Sequence, residues 1–190
     1  MRDQEKICRE EWFKEHEARL ILGPPKGDML VTIIEWKKPN SWNYGCRFII
    51  HSQWLTVVGD IGEAVYQWGQ NIDLKFLAQI NFDYFMGKCR ASEAGTRFMQ
   101  WCSRTAFESL QNRLLHESFS DHEKAFIVSI SAGTPKDEFE DMLRAAYYDG
   151  LNSDFAASVS ECGYIPNVRC VGHFVGLQMA IKQLTNENKA

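Results

Sequence analysis

Hydrophobic and polar residues alternate with a period close to two between residues 30 and 68, which predicts β-strands. Four segments in this region are rich in β-branched and aromatic residues, and only short turns separate them. These segments are residues 30–36, 44–51, 53–58 and 63–68. Connections this short join antiparallel neighbours, so the pattern predicts a four-stranded antiparallel β-meander. Such a sheet commonly has one buried face and one solvated face.

On both sides of the predicted sheet the pattern changes to that of α-helices. The first twenty residues predict an N-terminal helix, whose apolar residues are Ile7, Trp12, Leu20 and Ile21 and whose other positions carry alternating charges. After residue 72 the spacing predicts a bundle of five or six helices, near residues 73–80, 81–90, 96–114, 121–131, 135–148 and 167–185. The predicted N-terminal caps are Asp73, Thr96, Ser120 and Thr134. The expected fold class is therefore α+β.

The length of the chain permits a substantial core within one domain. It has 190 residues, of which 45% are hydrophobic and 24% charged, close to globular averages. No repeat, low-complexity tract or clear linker divides it. We predict a single domain over residues 1–190, and the alternative is a sheet-bearing lobe (1–72) beside a helical lobe (73–190).

The sequence predicts a cytoplasmic protein. No apolar run approaches the roughly 18 residues of a membrane span, and the charged N-terminus lacks the apolar centre of a signal peptide. Six cysteines stand at positions 8, 46, 89, 102, 162 and 170. A chain of this size without an export signal does not need disulfides, so we expect free, mostly buried thiols.

Charge is distributed unevenly along the chain. The net charge of −4 argues against direct nucleic-acid binding, which depends on a basic footprint. Residues 137–161 hold seven acids and a single base, Arg144. One interpretation is a solvated helix face, and the other is an anionic surface that competes for a basic region of a partner protein. The candidate partner-binding residues, called the acidic surface below, are Asp137, Glu138, Glu140, Asp141, Asp149 and Asp154.

No motif of a known catalytic or metal site is present. The chain lacks a nucleophile elbow, a phosphate loop, a dinucleotide fingerprint and an H-E-x-x-H pattern. Cys162, Cys170 and His173 lack the C-x2-4-C spacing of structural zinc, so we expect no metal or cofactor, but buried thiols and a surface or capping histidine. Arg47 and His51, on the predicted exposed face of the sheet, are weak candidates for a ligand site.

Aromatic residues are frequent in the sheet region. The aromatics are Trp36, Trp42, Tyr44, Phe48, Trp54, Tyr66 and Trp68. Few Lys and Arg residues accompany them, so core packing is favoured over stacking on nucleobases. Any of these aromatics that are exposed would indicate a protein partner.

Gly172 and Gly176 lie four apart in the last predicted helix and predict a close approach by a neighbouring helix or by a second copy in a homodimer.

One stretch of the chain resembles a known group of sequences. Residues 59–68, GDIGEAVYQW, are similar to a GD-x-G-x-A-V-Y-x-W pattern of small phage and prophage proteins, and the likeness extends through residues 82–85 and 88–93. Small phage proteins without catalytic motifs include inhibitors of bacterial immunity such as anti-CRISPR proteins. The resemblance assigns no contact residue, and the motif itself has the composition of a hairpin turn.

The leading hypothesis is a phage-encoded, non-enzymatic inhibitor that binds a host defence complex. Its expected partner is a CRISPR-Cas effector or nuclease, whose nucleic-acid binding or cleavage it blocks through the acidic surface. A second hypothesis is a DNA-binding regulator of a mobile element. A third is an enzyme that acts on a nucleotide or signalling molecule through Arg47 and His51.

Overall fold

The computed structural model describes residues 2–22, 31–92 and 99–187. The helices are α1 (Arg2–Ile7), α2 (Leu74–Leu77), α3 (Phe82–Met86), α4 (Ser103–His116), α5 (Asp121–Ser129), α6 (Lys136–Tyr148), α7 (Ser153–Val159) and α8 (Val168–Glu187). A π-helical segment, Cys8–Trp12, continues α1. The strands are β1 (Glu17–Leu22), β2 (Val31–Lys37), β3 (Cys46–His51), β4 (Trp54–Gly59), β5 (Ala64–Gln67), β6 (Cys89–Ser92), β7 (Met99–Trp101) and β8 (Tyr164–Pro166).

The chain forms two compact units. Unit 1 contains Met1–Phe98 and Pro166–Ala190, and unit 2 contains Met99–Ile165. Unit 1 holds β1 to β6 with α8, and unit 2 holds helices α4 to α7. The prediction of a single domain stays a prediction.

Unit 1 confirms the α+β class but corrects the size of the sheet. In the described residues the sheet has six strands in the order β1 to β6, each antiparallel to its neighbour. The four predicted strands are its central members, β2 to β5. The two additional strands are at its edges, where the sequence predicts helix.

The first edge strand replaces the second half of the predicted N-terminal helix. Glu17–Leu22 is composed largely of residues that favour helix in isolation, yet it pairs with β2 from Glu17↔Lys37 to Leu22↔Ile33. Its position is held by α8 as well, because Gln183 accepts a hydrogen bond from the Ala18 amide at 2.9 Å. Pairing with residues distant in sequence therefore overrides the local preference.

The other edge strand replaces the end of a predicted helix. The helix predicted to run to Arg90 ends at Met86, and Cys89–Ser92 pairs with β5 through Ala64↔Ser92 and Val65↔Ala91. Asn81 caps this short helix by accepting a hydrogen bond from the Tyr84 amide at 2.8 Å.

The core of unit 1 lies between one face of the sheet and α8. Alternate residues of the strands, such as Phe48 and Leu55, are fully buried against Val175 and Leu177 of α8 and their neighbours. Each fully buried side chain of this size stabilises the fold by roughly 1.5–3 kcal/mol. The predicted close approach at the two glycines is made within the chain. A Cβ on Gly172 would lie 3.0 Å from the Trp12 ring, and one on Gly176 would lie 3.2 Å from the Trp36 ring.

Unit 2 has its own core, formed by residues such as Leu110, Ile127, Phe139 and Phe155. Ser120 forms the predicted cap of α5 as a complete capping box with Glu123. The predicted cap Thr134 does not cap α6: its hydroxyl accepts a hydrogen bond from the Ser131 amide at 2.9 Å.

Two further expectations about this part of the chain need correction, and one falls outside the described residues. Residues 99–101, predicted as helix, form β7 in a two-stranded sheet with β8, and the helix begins at Ser103. Helix α7 has no counterpart in the prediction. The predicted cap Thr96 lies outside the described residues.

Candidate functional site

The acidic surface belongs entirely to unit 2. All six of its residues are exposed. Four of them, Asp137, Glu138, Glu140 and Asp141, are in the first two turns of α6, Asp149 follows the last turn, and Asp154 is in the first turn of α7. Acids near a helix N-terminus complement the helix dipole, which explains the stability of this arrangement on α6.

The helical period determines which acids share a face of α6. Phe139 is fully buried, and Met142, Leu143 and Ala146 are partly buried around it, so these four mark the side of α6 that faces the core. Asp137, Asp141, Arg144 and Tyr148 recur at i, i+4, i+7 and i+11 on the opposite side. Tyr148 is 82% exposed, so this outward-facing row of charged residues ends in an aromatic ring that is accessible to solvent.

Two of the acids are partly neutralised by neighbours on the same helix. Lys136 contacts Glu140 at 3.0 Å, and Arg144 contacts Asp141 at 3.2 Å. Both pairs are solvent-exposed and contribute little to stability. Within the described residues, Asp137, Glu138, Asp149 and Asp154 have no ion pair.

On the outer face of the unit 1 sheet, Arg47 belongs to a charged network around Glu35. Its Nη2 atom lies 2.9 Å from the Glu35 carboxylate, and Lys37 Nζ lies 3.3 Å from the other oxygen. Burial alone would raise the pKa of Glu35, but hydrogen bonds from Arg47 and Lys37 outweigh burial and lower that pKa below its usual value. Arg47 thus has a carboxylate partner on the neighbouring strand, and its role in a ligand site stays a prediction.

His51 lies on the same face of β3 as Arg47, as predicted, but the two do not form one site. Four residues along a strand separate them by roughly 13 Å. Arg47 is opposite Val58, and His51 is opposite Trp54 at the other end of the strand pair.

Most aromatics of the sheet region are in the core, as expected. Trp36, Phe48, Tyr66 and Trp68 are buried. Trp42 is 44% exposed, and its ring lies 4.7 Å from Lys37 Nζ and 5.1 Å from Arg47 Cζ.

Tyr44 is 40% exposed and stacks on Trp12 with 4.7 Å between ring centroids. Trp42 and Tyr44 are thus two partly exposed aromatic residues near the β2–β3 turn.

His173 is buried, so the expectation of a surface or capping histidine is wrong. Its Nε2 atom donates to the Ile61 carbonyl at 3.1 Å, because a carbonyl can only accept. Its Nδ1 atom therefore accepts from the Tyr66 hydroxyl at 2.9 Å. Burial lowers the pKa of His173 to about 4, and both ring nitrogens are occupied.

The sequence pattern did not predict the pair of His173 and Tyr66, because residues 66 and 173 are far apart in sequence. The spacing of residues around His173 nevertheless indicated that this histidine is buried. His173 follows Cys170 by three positions and precedes Leu177 by four, which places it on the apolar side of α8.

All six cysteines are free, as predicted, and three of them are buried: Cys8, Cys46 and Cys170. Burial raises the pKa of Cys170 to about 11 and that of Cys89 to about 12. Cys102, at the N-terminus of α4, differs because hydrogen bonds from the side chain and the backbone of Thr105 lower its pKa.

We expect Cys102 to be the most reactive thiol of the protein. A lowered pKa raises its thiolate fraction at pH 7.5, whereas the pKa values of the other five thiols are raised. Alkylation of the folded protein by iodoacetamide, followed by mass spectrometry, should modify Cys102 at least about tenfold faster than any other cysteine. Cys102→Ser should remove the fast phase and Cys162→Ser should retain it; a fast phase that survives Cys102→Ser contradicts this assignment.

Among the described residues, no three His, Cys, Asp or Glu side chains come together as a metal site, and this includes the trio Cys162, Cys170 and His173.

The hypothesis of a DNA-binding regulator depends on a basic helix. Each of the described helices contains at most two Lys and Arg residues in total.

Within the described part of the chain, each helix is too short or too polar to span a membrane.

Comparisons with protein-family models, with curated proteins and with solved structures found no match. The functional argument therefore depends on the residues of this chain alone.

Proposed function

We propose that this protein is a non-enzymatic inhibitor that binds a basic surface of a host defence complex through unit 2. The proposed partner is a CRISPR-Cas effector or nuclease, whose nucleic-acid-binding surface is basic. Occupation of that surface by the acidic surface would block access of the nucleic acid.

The observation that carries this proposal is the separation of charge between the two units. Unit 2 contains eleven Asp and Glu residues against five Lys and Arg, whereas unit 1 contains fourteen against sixteen. The acid excess of the chain therefore belongs to unit 2, and its exposed acids are concentrated on and after α6. A field of one sign accelerates association with an oppositely charged partner and disfavours phosphate-bearing ligands.

The exposed row of α6 supplies more than charge. Tyr148 is the most exposed of the large apolar side chains of α6 and stands at the end of the row that contains Asp137 and Asp141. Tyrosine is enriched among residues that dominate binding energy at protein interfaces. An acidic row that ends in an exposed tyrosine has the composition of a protein-binding face.

The test is a phage-plating assay in bacteria that carry one active CRISPR-Cas system each. Expression of the protein should restore plating in at least one system. The double variant Asp137→Lys with Asp141→Lys should lower that restoration at least about hundredfold. Each charge reversal weakens the electrostatic steering of association and also places like charges against each other in the complex. Tyr148→Ala should lower the restoration as well.

The matched control is Glu11→Lys with Glu108→Lys, which changes the net charge equally at exposed acids outside the acidic surface. This control should inhibit like the unmodified protein, and thermal melts should show that both double variants are folded. Equal inhibition by the α6 variant and by the control would reject the acidic surface. Absence of inhibition by the unmodified protein against every system would reject the function.

A further inference from the structure

A groove of about 350 Å³ lies between α5 and α6 in unit 2. Its walls are mainly apolar and include Ala125 and Phe126 of α5 with Met142 and Ala145 of α6. Ala125 and Ala145 are exposed although they line the groove. The groove is therefore open along the two helices, in contrast to the enclosed pockets that bury most of a small-molecule ligand.

One end of the groove is negatively charged for two independent reasons. Asp149 lines it, and this residue is the C-terminal cap of α6. The C-terminus of a helix carries a partial negative charge of its own, which a cation normally offsets. The last turn of α6 contains no basic residue, and within the described residues no salt bridge reaches Asp149.

The same row of α6 begins with a second acid. Glu138, Met142, Ala145 and Asp149 follow one another at i, i+4, i+7 and i+11. Of these four residues, Met142, Ala145 and Asp149 line the groove, so two apolar side chains precede one carboxylate along its wall. This order matches a ligand whose aliphatic part lies on the helices while its charged end meets an acid.

From these features we propose that the groove binds an arginine side chain of the protein partner, with the guanidinium at Asp149 and the aliphatic stem on Met142 and Ala145. This assignment rests on the proposed function, because it names the partner chemistry of the acidic unit. The polar residues of the groove wall are His122, Ser129 and Asp149. Arginine fits better than phosphate or lipid ligands, since Asp149 and the exposed acids of α6 and α7 around the groove repel anions. Its guanidinium pairs with a carboxylate in two-pronged geometry and is weakly hydrated.

The test is a chemical-shift titration of the full-length, ¹⁵N-labelled protein. The probes are N-acetyl-arginine amide and its neutral isostere N-acetyl-citrulline amide. The arginine probe should produce saturable shifts at the amides of Ala125, Ser129 and Ala145, with an affinity in the millimolar range, and citrulline should bind at least about tenfold more weakly. Equal binding of the two probes would show that charge plays no role and would overturn the proposal.

Matched variants locate the site. Asp149→Asn should weaken arginine binding at least about fivefold, while Glu108→Gln, an equal charge change at an exposed acid of unit 2 outside the acidic surface, should leave it within about twofold. Ala145→Leu should fill the groove and abolish the saturable shifts. An equal loss in Asp149→Asn and Glu108→Gln would show general attraction to unit 2 and would overturn the site.

The failures of the two proposals are distinguishable. If arginine binds the groove and the unmodified protein inhibits no defence system, the groove is supported and the inhibitor function is rejected. If the protein inhibits but arginine produces no saturable shifts, the groove is rejected and the function stands. Retained inhibition by a folded Asp149→Asn variant would also count against the groove.

Discussion

Replacing Gly59 by alanine is expected to lower the free energy of unfolding by roughly 4 kcal/mol. Gly59 has a φ of +148°, a region that only glycine occupies without strain. Its missing Cβ also leaves room for the neighbouring strand: an added Cβ would contact the Gly45 carbonyl oxygen and would lie 2.6 Å from Cys46 Cα. Both obstacles are backbone atoms, which cannot move aside without disrupting β3.

The matched control for this prediction is Gly69→Ala. Nothing lies within 4 Å of the Cβ that it would add, so its effect should stay within about 0.5 kcal/mol. Urea denaturation of the two variants and the unmodified protein gives the comparison. A Gly59→Ala variant as stable as Gly69→Ala would contradict the close packing of β3 and β4 at this turn.

This result would also define the role of the GDIGEAVYQW motif at residues 59–68. Asp60, beside Gly59, accepts a hydrogen bond from the Tyr44 amide at 2.7 Å and donates its own amide to the Gly45 carbonyl at 2.8 Å. Tyr66 of the same motif is buried and bonded to His173. The motif residues thus connect β3, β4, β5 and α8, and their role in the structure is architectural.

The second large effect is a loss of stability in mild acid that depends on His173. Burial lowers the pKa of His173 to about 4 in the folded protein, whereas the unfolded chain has a value near 6.5. As the pH falls below 6.5, His173 takes up a proton in the unfolded state but not in the folded state. The contribution of neutral His173 to the free energy of unfolding is therefore progressively lost. Between pH 7 and pH 4.5 this loss amounts to about 2 kcal/mol.

The measurement is urea denaturation at pH 7 and pH 4.5 for the unmodified protein and for His173→Gln. The variant should be less stable at pH 7, but its stability should fall by about 2 kcal/mol less on acidification, because glutamine does not titrate. His116→Gln, at an exposed histidine of unit 2, should retain the full acid sensitivity. If His173→Gln and the unmodified protein show the same pH dependence, His173 does not control it.

His16 is expected to contribute in the same direction. It is 4% exposed, and burial lowers its pKa despite the nearby backbone carbonyls of Tyr44 and Asn43, which raise it. A residual acid sensitivity in His173→Gln is therefore expected, and a second substitution at His16 should reduce it further.

The candidate binding surface was predictable as a set of residues, but its geometry was not. Six exposed acids could be named from composition alone, because runs of charge are solvated almost wherever they occur. Their division into the outward row of Asp137 and Asp141 and the groove-side row of Glu138 and Asp149 depends on which side of α6 packs on Phe139. The weak ligand candidates Arg47 and His51 share a face, but Arg47 is paired with Glu35 across the strands.

The sequence by itself determined the features that depend on neighbours a few residues away. The strands β2 to β5, the caps at Asp73 and Ser120, and the end of α6 before Gly150 were all predicted, because alternation, side-chain capping and turn residues act locally. Only the tertiary structure decided the edge strands β1 and β6 and the burial of His173. Edge strands gain their hydrogen bonds from distant segments, and a buried histidine needs partners such as Tyr66 and Ile61 that no local pattern specifies.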